Sequence, residues 1–377
     1  DVQLAQPNGG LVGTGARKTE RVPRARRACH DACRGHGADS NQKKAGIRAG
    51  IIGGLLRMRG NMDLVQAVIE AEQRIRPYVR ETPLDYSAFL SSLTGVEVLL
   101  KLENTQHTGS FKVRGALHAL LCLDPAQRER GIVAASSGNH GMAMAFGMRA
   151  LGVTGVVFVP EDASPTKVAA IRALGAEVYQ YGDDCLVAEV AARRYAVEQG
   201  MSYISPYNDL RVVAGQGTLG VELVRQAEDV DAVFVAVGGG GLVSGMASYV
   251  KTHWPHVLVI GCQPARSAVM FESLRAGRIV ELADEPTLSD GTAGGIEPDA
   301  ITFELCQQLV DRFVLVSEEE IAAAMRLAID AQHTLIEGAA GVALAAFLRC
   351  AEEFRGRRVV VVLCGANVSA ATLKLVL

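Results

Sequence analysis

Four short polar stretches carry most of the residues in this chain whose types and spacing could do chemistry. "TGSFKVRGAL" (residues 108–117) sets Lys112 at the end of a small polar run, where apolar sequence resumes. Such a lysine is either a solvated charge at a helix start or a buried amine that condenses with a carbonyl cofactor. "SSGNHG" (residues 136–141) gathers hydroxyls, backbone amides and the Asn139 side chain at a helix start, a natural cradle for a carboxylate. The same turn serves equally as a plain helix cap, and His140 taken singly reads as a hydrogen-bonding structural histidine. "GGGGL" (residues 238–242) lets backbone N–H groups approach an anion beside a helix N-terminus; the alternative is a tight glycine turn for packing. The chain has no G-x-x-x-x-G-K-[ST]. Its next strand, "HVLVIG", runs into Cys262 and Gln263 where a dinucleotide site wants an acidic ribose ligand, so a monophosphate ester suits the loop better. "CGANVS" (residues 364–369) closes an apolar strand. Its thiol either fills core or offers a heterocyclic nitrogen a neutral hydrogen-bond partner. No cysteine–histidine spacing supports a thiol nucleophile.

To bring these stretches together the chain needs a repeating scaffold, and from Asn61 onward strand-like and helix-like segments alternate. "VEVLLKLE", "GIVAAS", "GVVFVP", "AEVYQYG", "DAVFVAV", "HVLVIGCQP" and "RVVVVLCG" read as strands, with helical segments between them. Asp63 is placed to cap the first helix. This alternation predicts an α/β fold with mostly parallel strands. Ligands in such folds collect at the carboxyl ends of strands, and every one of the unusual loops follows a strand.

Composition narrows the class. Of 377 residues, 49% are hydrophobic and 21% charged, as in a soluble globular enzyme. A net charge of -3 gives no general attraction to nucleic acid or anionic lipid, and no apolar run reaches membrane-spanning length. Eight cysteines without a repeating framework suggest reduced thiols and a cytoplasmic location. Residues 1–61 are Arg-rich and acid-poor without an apolar period, so they are expected to be a disordered basic extension, with Met62 a candidate natural start. An organelle transit peptide would share that composition. Cys29, His30, Cys33 and His36 could bind zinc, although a lone cluster in such a segment is usually incidental.

Taken in order and separation, "GSFKVRGA", "SSGNHG", "VGGGGL" and "CGANVS" resemble the threonine and serine dehydratases and serine racemase. These are pyridoxal-phosphate enzymes of fold type II, like the β subunit of tryptophan synthase. The resemblance runs from about Met62 to the C-terminus and takes in "ETPL", "KLENTQHTGSFK", "AGQGT", "SDGTAGG" and "IEGAAGV". "GCQPARSAVMFESL" and "SDGTAGGIEP" resemble the narrower branch of threonine dehydratase-like enzymes of hydroxyectoine utilization. The resemblance implies pyridoxal 5'-phosphate as cofactor, with Lys112 its Schiff-base lysine and Phe111 beside it. It makes Gly238, Gly239, Gly240, Gly241 and Leu242 the phosphate cradle and Asn139 the partner of the cofactor's ring hydroxyl. Ser136, Ser137, Gly138 and His140 then receive the substrate carboxylate with Asn139, and Cys364 faces the pyridine nitrogen. Glu337, Asp290, Gly291 and Asn208 line the site.

The implied reaction is β-elimination from a β-hydroxy amino acid such as L-threonine or L-serine. Lys112, displaced by the incoming amino acid, removes the α-proton, the cofactor phosphate or Ser137 protonates the leaving β-hydroxyl, and a 2-oxo acid and ammonia result. A racemase is the alternative, in which Ser137 works on the opposite face of the substrate; a catalytically inactive α/β binding protein is the non-enzyme alternative. Where relatives place acidic ligands of a divalent cation, this chain has Gln263 and Val269, so that metal site is expected to be absent. The chain ends soon after "CGANVS", so the regulatory C-terminal domain of biosynthetic threonine deaminases, and feedback by isoleucine, are not expected. The expected architecture is a large cofactor domain of residues 62–125 and 212–377 with a small domain, 126–211, inserted. Relatives are usually dimers or tetramers, so a homo-oligomer is expected.

Overall fold

Asp63 caps the first described helix by accepting the main-chain N–H groups of Val65 and Gln66, the capping role its position suggests. The computed structural model describes residues 63–377 apart from 184 and 284. The basic stretch and its Cys29, His30, Cys33 and His36 group lie outside the described residues. The elements follow in chain order as α1 (Leu64–Ile75), β1 (Leu84–Tyr86), α2 (Ala88–Thr94), β2 (Glu97–Lys101), α3 (Lys112–Leu121), α4 (Pro125–Arg130) and β3 (Ile132–Ala135). Then come α5 (Asn139–Leu151), β4 (Gly155–Val159), α6 (Pro165–Ala173), β5 (Glu177–Gln180), α7 (Cys185–Gln199), β6 (Ser202–Tyr203) and α8 (Leu210–Gln226). The remainder is β7 (Ala232–Ala236), α9 (Gly241–His253), β8 (Leu258–Pro264), α10 (Val269–Ala276), α11 (Ile301–Leu309), β9 (Arg312–Val316), α12 (Glu318–Gln332), α13 (Gly338–Cys350), β10 (Arg358–Val362) and α14 (Ala370–Val376).

Two sheets organise these elements. One has six strands in the order β1-β2-β10-β7-β8-β9, parallel except for β1, which runs antiparallel to β2. The other has four parallel strands, β5-β4-β3-β6, all drawn from residues 132–203. Runs such as "AVFVA" in β7 are buried along their whole length, as a parallel strand covered on both faces requires. Helices α8 and α9 meet backbone to backbone: a Cβ on Gly245 would lie 2.1 Å from the Val213 carbonyl oxygen.

One polar assembly sits inside this apolar frame, where α3 packs on α8. Arg114, fully buried, donates to Glu103 at 2.7 and 2.8 Å and to both oxygens of Glu222 at 2.8 Å. Lys101 reaches Glu222 at 2.6 Å, and Arg76 reaches the other oxygen of Glu222 at 2.6 Å. Thr82 donates its hydroxyl to Glu103 at 2.5 Å. Each buried charge is matched by an opposite one in hydrogen-bond geometry, the condition for charges to survive burial. This lattice ties β2, α3 and α8 together directly behind the residue that opens α3, which is Lys112.

Candidate active site

Lys112 is the first residue of α3, so the lysine does stand at a helix start, although it is not a solvated surface charge. The reason is the anchoring of what precedes it. Ser110 bridges Gly365, and the Phe111 N–H donates to the Cys364 carbonyl at 3.1 Å. The entry to α3 is thereby stitched onto the end of β10, and the lysine leaves the helix start toward the carboxyl ends of the strands. Its Nζ donates to the Pro206 carbonyl at 3.0 Å. Burial holds this amine down to about 8, with Cys364 and Glu337 only partly opposing the shift.

The four-glycine loop follows β7. Gly240 adopts φ 84°, the left-handed region that favours glycine, and α9 begins at Gly241 with no side-chain cap. Side chains have no room here. A Cβ on Gly239 would meet the Tyr207 ring at 2.4 Å, and one on Gly240 would meet the Cys306 sulfur at 2.8 Å. The result is bare backbone beside uncapped helix amides, with the positive end of the helix behind them.

Opposite lies the start of α5. Ser136 Oγ accepts the Gly138 N–H at 3.1 Å, shaping the turn through half-buried Ser137 into Asn139. Asn139 Nδ2 donates to Glu337 at 2.8 and 3.1 Å, and its Oδ1 accepts from Asn367 at 2.6 Å. Burial pushes Glu337 up to about 7; the Asn139 and Asn367 hydrogen bonds oppose that rise and Asp290 adds to it. His140 bonds the Ile204 carbonyl at 3.2 Å, and burial together with Lys112 holds it down to about 3. It is therefore neutral and structural. Burial likewise pushes the Cys364 thiol well up, with Glu337 contributing.

A single cleft collects Phe111, Lys112, Asn139, Gly238, Gly239, Gly240, Gly241, Leu242, Gly291, Glu337 and Cys364 of the expected residues. Ser136, Ser137, Gly138 and His140 form the turn beside it. Asp290 points away at the rim to pair with Lys167 of α6 at 2.9 Å. Asn208 is also displaced. Its Nδ2 donates to Glu297 at 2.7 Å and its Oδ1 accepts the Ile301 N–H, so it staples two loops; its neighbour Tyr207 lines the cleft instead. Sequence reasoning passed over Tyr207, although an aromatic residue in a loop leading to a glycine turn is a usable signal. It also passed over Thr292, which lines the cleft, and Asn367. Gln263, at an expected acidic ligand position, accepts the Phe271 N–H at 2.8 Å and so fastens α10.

The family model described as pyridoxal-phosphate dependent enzyme matches residues 75–365. This chain belongs to that family. Among the family's members, the L-threonine ammonia-lyase of Thermotoga maritima is 40% identical over 307 residues, covering 81% of this chain and 76% of its own. The processed form of threonine deaminase isoform 2 from Solanum lycopersicum superposes with a TM-score of 0.80 at 33% identity, covering 83% of this chain and 87% of its own. Maize serine racemase follows at 0.77 and 29% identity, covering 82% and 95%. The donor set fits the family's cofactor. Uncapped amides at α9 would hold a phosphate, a buried amine poised near neutrality would hold an aldehyde, and a neutral thiol suits a ring nitrogen that stays unprotonated.

Proposed function

We propose that this protein is a pyridoxal-phosphate-dependent ammonia-lyase that acts on a β-hydroxy amino acid such as L-threonine or L-serine. The observation that carries the reading is the half-buried Lys112 side chain, held beside the glycine loop with its amine brought down to about 8 by desolvation. Bound pyridoxal phosphate supplies an electron sink for the substrate's α-carbon. Lys112 Nζ, unprotonated, takes the α-proton. The "SSGNHG" turn, with the amide end of α5 behind it, holds the substrate carboxylate. Cys364 stays a neutral thiol, so it cannot encourage protonation of the ring nitrogen as a carboxylate would. The β-hydroxyl takes a proton from Ser137 and departs as water, the proton held by Lys112 restores that hydroxyl, and the enamine set free takes up water to give a 2-oxo acid and ammonia.

Residues 126–211, which contain the four-stranded sheet, act as a small domain that closes over the carboxylate, and residues 62–125 with 212–377 act as the large one. The protein works as a cytoplasmic homo-oligomer, a reading supported by its eight cysteines without a disulfide framework and by the assemblies usual among relatives. The test is to incubate purified protein with a panel of β-hydroxy amino acids and measure 2-oxo acid. The expected result is release that Lys112→Ala abolishes. D-isomer accumulating without 2-oxo acid would favour the racemase, with Ser137 as the second base. A protein that takes up no cofactor would overturn both.

A further inference from the structure

Asn139 can present either of two opposite groups to the cleft, a carbonyl oxygen or an N–H, and the structure determines which. The deciding atom is the Thr108 main-chain carbonyl, which can only accept. It lies 2.8 Å from the side-chain amide of Asn367, so the Asn367 atom there must be the donor Nδ2. That same Nδ2 lies 2.6 Å from the Asn139 side chain, so the Asn139 atom facing it must be the acceptor Oδ1. Nδ2 of Asn139 is thereby turned to Glu337, whose two oxygens lie at 2.8 and 3.1 Å on one side of it and share one N–H. A second fixed donor checks the direction: the Asn367 main-chain N–H reaches Glu337 Oε2 at 3.0 Å, so this carboxylate is an acceptor from two sides. The direction therefore runs from a main-chain carbonyl through two amides to a carboxylate, and every link has one permitted polarity. One N–H of Asn139 is left over, on a residue that lines the cleft.

We propose that Asn367 is a positioning residue whose side-chain amide locks Asn139 with an N–H, rather than a carbonyl, toward the cofactor's ring oxygen. The inference rests on the cofactor reading of the cleft and deepens it. An N–H donor stabilises the ionised ring oxygen and a carbonyl stabilises the protonated one, so Asn367 sets the electronic form of the cofactor without touching it. Thr108 and Asn367 are 259 residues apart in sequence, which couples the approach to Lys112 with the segment after β10.

The test replaces Asn367 with Asp, which keeps the shape but exchanges the amide donor for an acceptor, and with Ala, which removes both. Cofactor-free protein is titrated with pyridoxal phosphate, and affinity and the visible absorption spectrum are read without substrate. The expected result for Asn367→Asp is at least a tenfold loss of affinity and a shift from the band of the ionised ring oxygen to the shorter-wavelength band of the protonated one. Asn367→Ala should give a mixture of the two bands. Wild-type affinity and band ratio in either variant overturn the proposal, while failure of the wild-type protein to bind the cofactor overturns the reading of the cleft instead. Because the variants could fold poorly, wild-type protein labelled with 15N-asparagine gives a second reading. The Asn367 side-chain amide protons should exchange slowly with solvent even without cofactor, and fast exchange overturns the lock.

Discussion

The charge lattice behind α3 and the cleft in front of it both take ionisable groups out of water, yet those groups behave in opposite ways. In the lattice, burial opposes the charge on Glu222 but Arg114 and Lys101 override it and hold the carboxyl down to about 2. Burial also opposes the charge on Arg114, and Glu103 and Glu222 more than compensate. Lys101 alone is pulled down by burial; its three close partners, the Thr82 carbonyl, Glu222 and Gln226 Oε1, are all acceptors at 2.6–2.8 Å, so it stays the donor. In the cleft nothing overrides burial. Lys112 goes down, Glu337 and Cys364 go up, and His140 is held neutral. Two residues along one helix turn separate a charge fixed for life at Arg114 from an amine able to lose its proton at Lys112. Pairing, not burial, distinguishes the scaffold from the reactive site.

The sharpest way to break this contrast is to remove one cation from each region. Arg114→Met leaves Glu103 and part of Glu222 buried without their main partner, and should cost about 3–5 kcal/mol of stability, read from the denaturant midpoint. Lys112→Met removes a buried ammonium that has no carboxylate partner. In cofactor-free protein at pH 7 it should stabilise, by up to about 3 kcal/mol, while abolishing activity. Because the folded value, about 8, lies below the ordinary 10.5, the wild-type penalty is full below pH 8 and fades as pH rises to 10.5. Two destabilised variants would remove the distinction.

The two glutamates sharpen it with opposite slopes against pH. The Glu222 contribution is full above its ordinary 4.5 and is lost as pH falls toward 2, because Arg114 and Lys101 hold the folded carboxyl down. Glu337 binds its proton more tightly folded than unfolded, so stability falls by about 3 kcal/mol as pH rises from 4.5 to about 7 and is level above that. Thermal midpoints of cofactor-free protein across this range check both. Glu337→Gln should erase the fall between pH 4.5 and 7, and Glu222→Gln should flatten the acid limb. A Glu337→Gln protein that keeps the neutral-side slope shows that the carboxyl ionises freely in the fold.

The cleft was far more legible in the sequence than the lattice. Each cleft motif is local: a run of four glycines, a lysine among small polar residues, a polar turn after a strand. Local runs survive in a one-dimensional reading, and the alternation that carries them fixed the parallel sheets correctly, apart from the antiparallel β1. The lattice is spread over distant segments, with Glu222 lying 108 residues from Arg114, and in sequence each member looks like an ordinary surface charge. Tyr207 and Asn208 show the limit within a motif. Adjacent loop residues point to different partners, and only the approach of the 297–301 loop decides which of them reaches the cleft. That Lys112 opens its helix inside the cleft and not as a solvated charge follows from the Ser110–Gly365 bridge, another contact between segments remote in sequence.

The smallest expected effect comes from the third kind of charge pair, at the rim. Lys167 on α6 and Asp290 beside the cleft join at 2.9 Å with side chains 31% and 60% exposed. Solvent screens such a pair, so Lys167→Met should cost no more than ~1 kcal/mol, and high salt should make the wild-type protein behave like the variant. The pair still reaches Glu337, on which Asp290 acts to raise and Lys167 to lower the pKa. Lys167→Met should therefore move the Glu337 midpoint upward, and Asp290→Asn should move it downward. If α6 closes over substrate, both variants should raise KM a few-fold with kcat nearly unchanged, because the ion pair bridges the moving and fixed parts without touching the reacting atoms. A loss of stability on the scale of Arg114→Met would mean that exposure does not weaken this pair, and shifts of one sign in both variants would mean that its field does not reach the cleft.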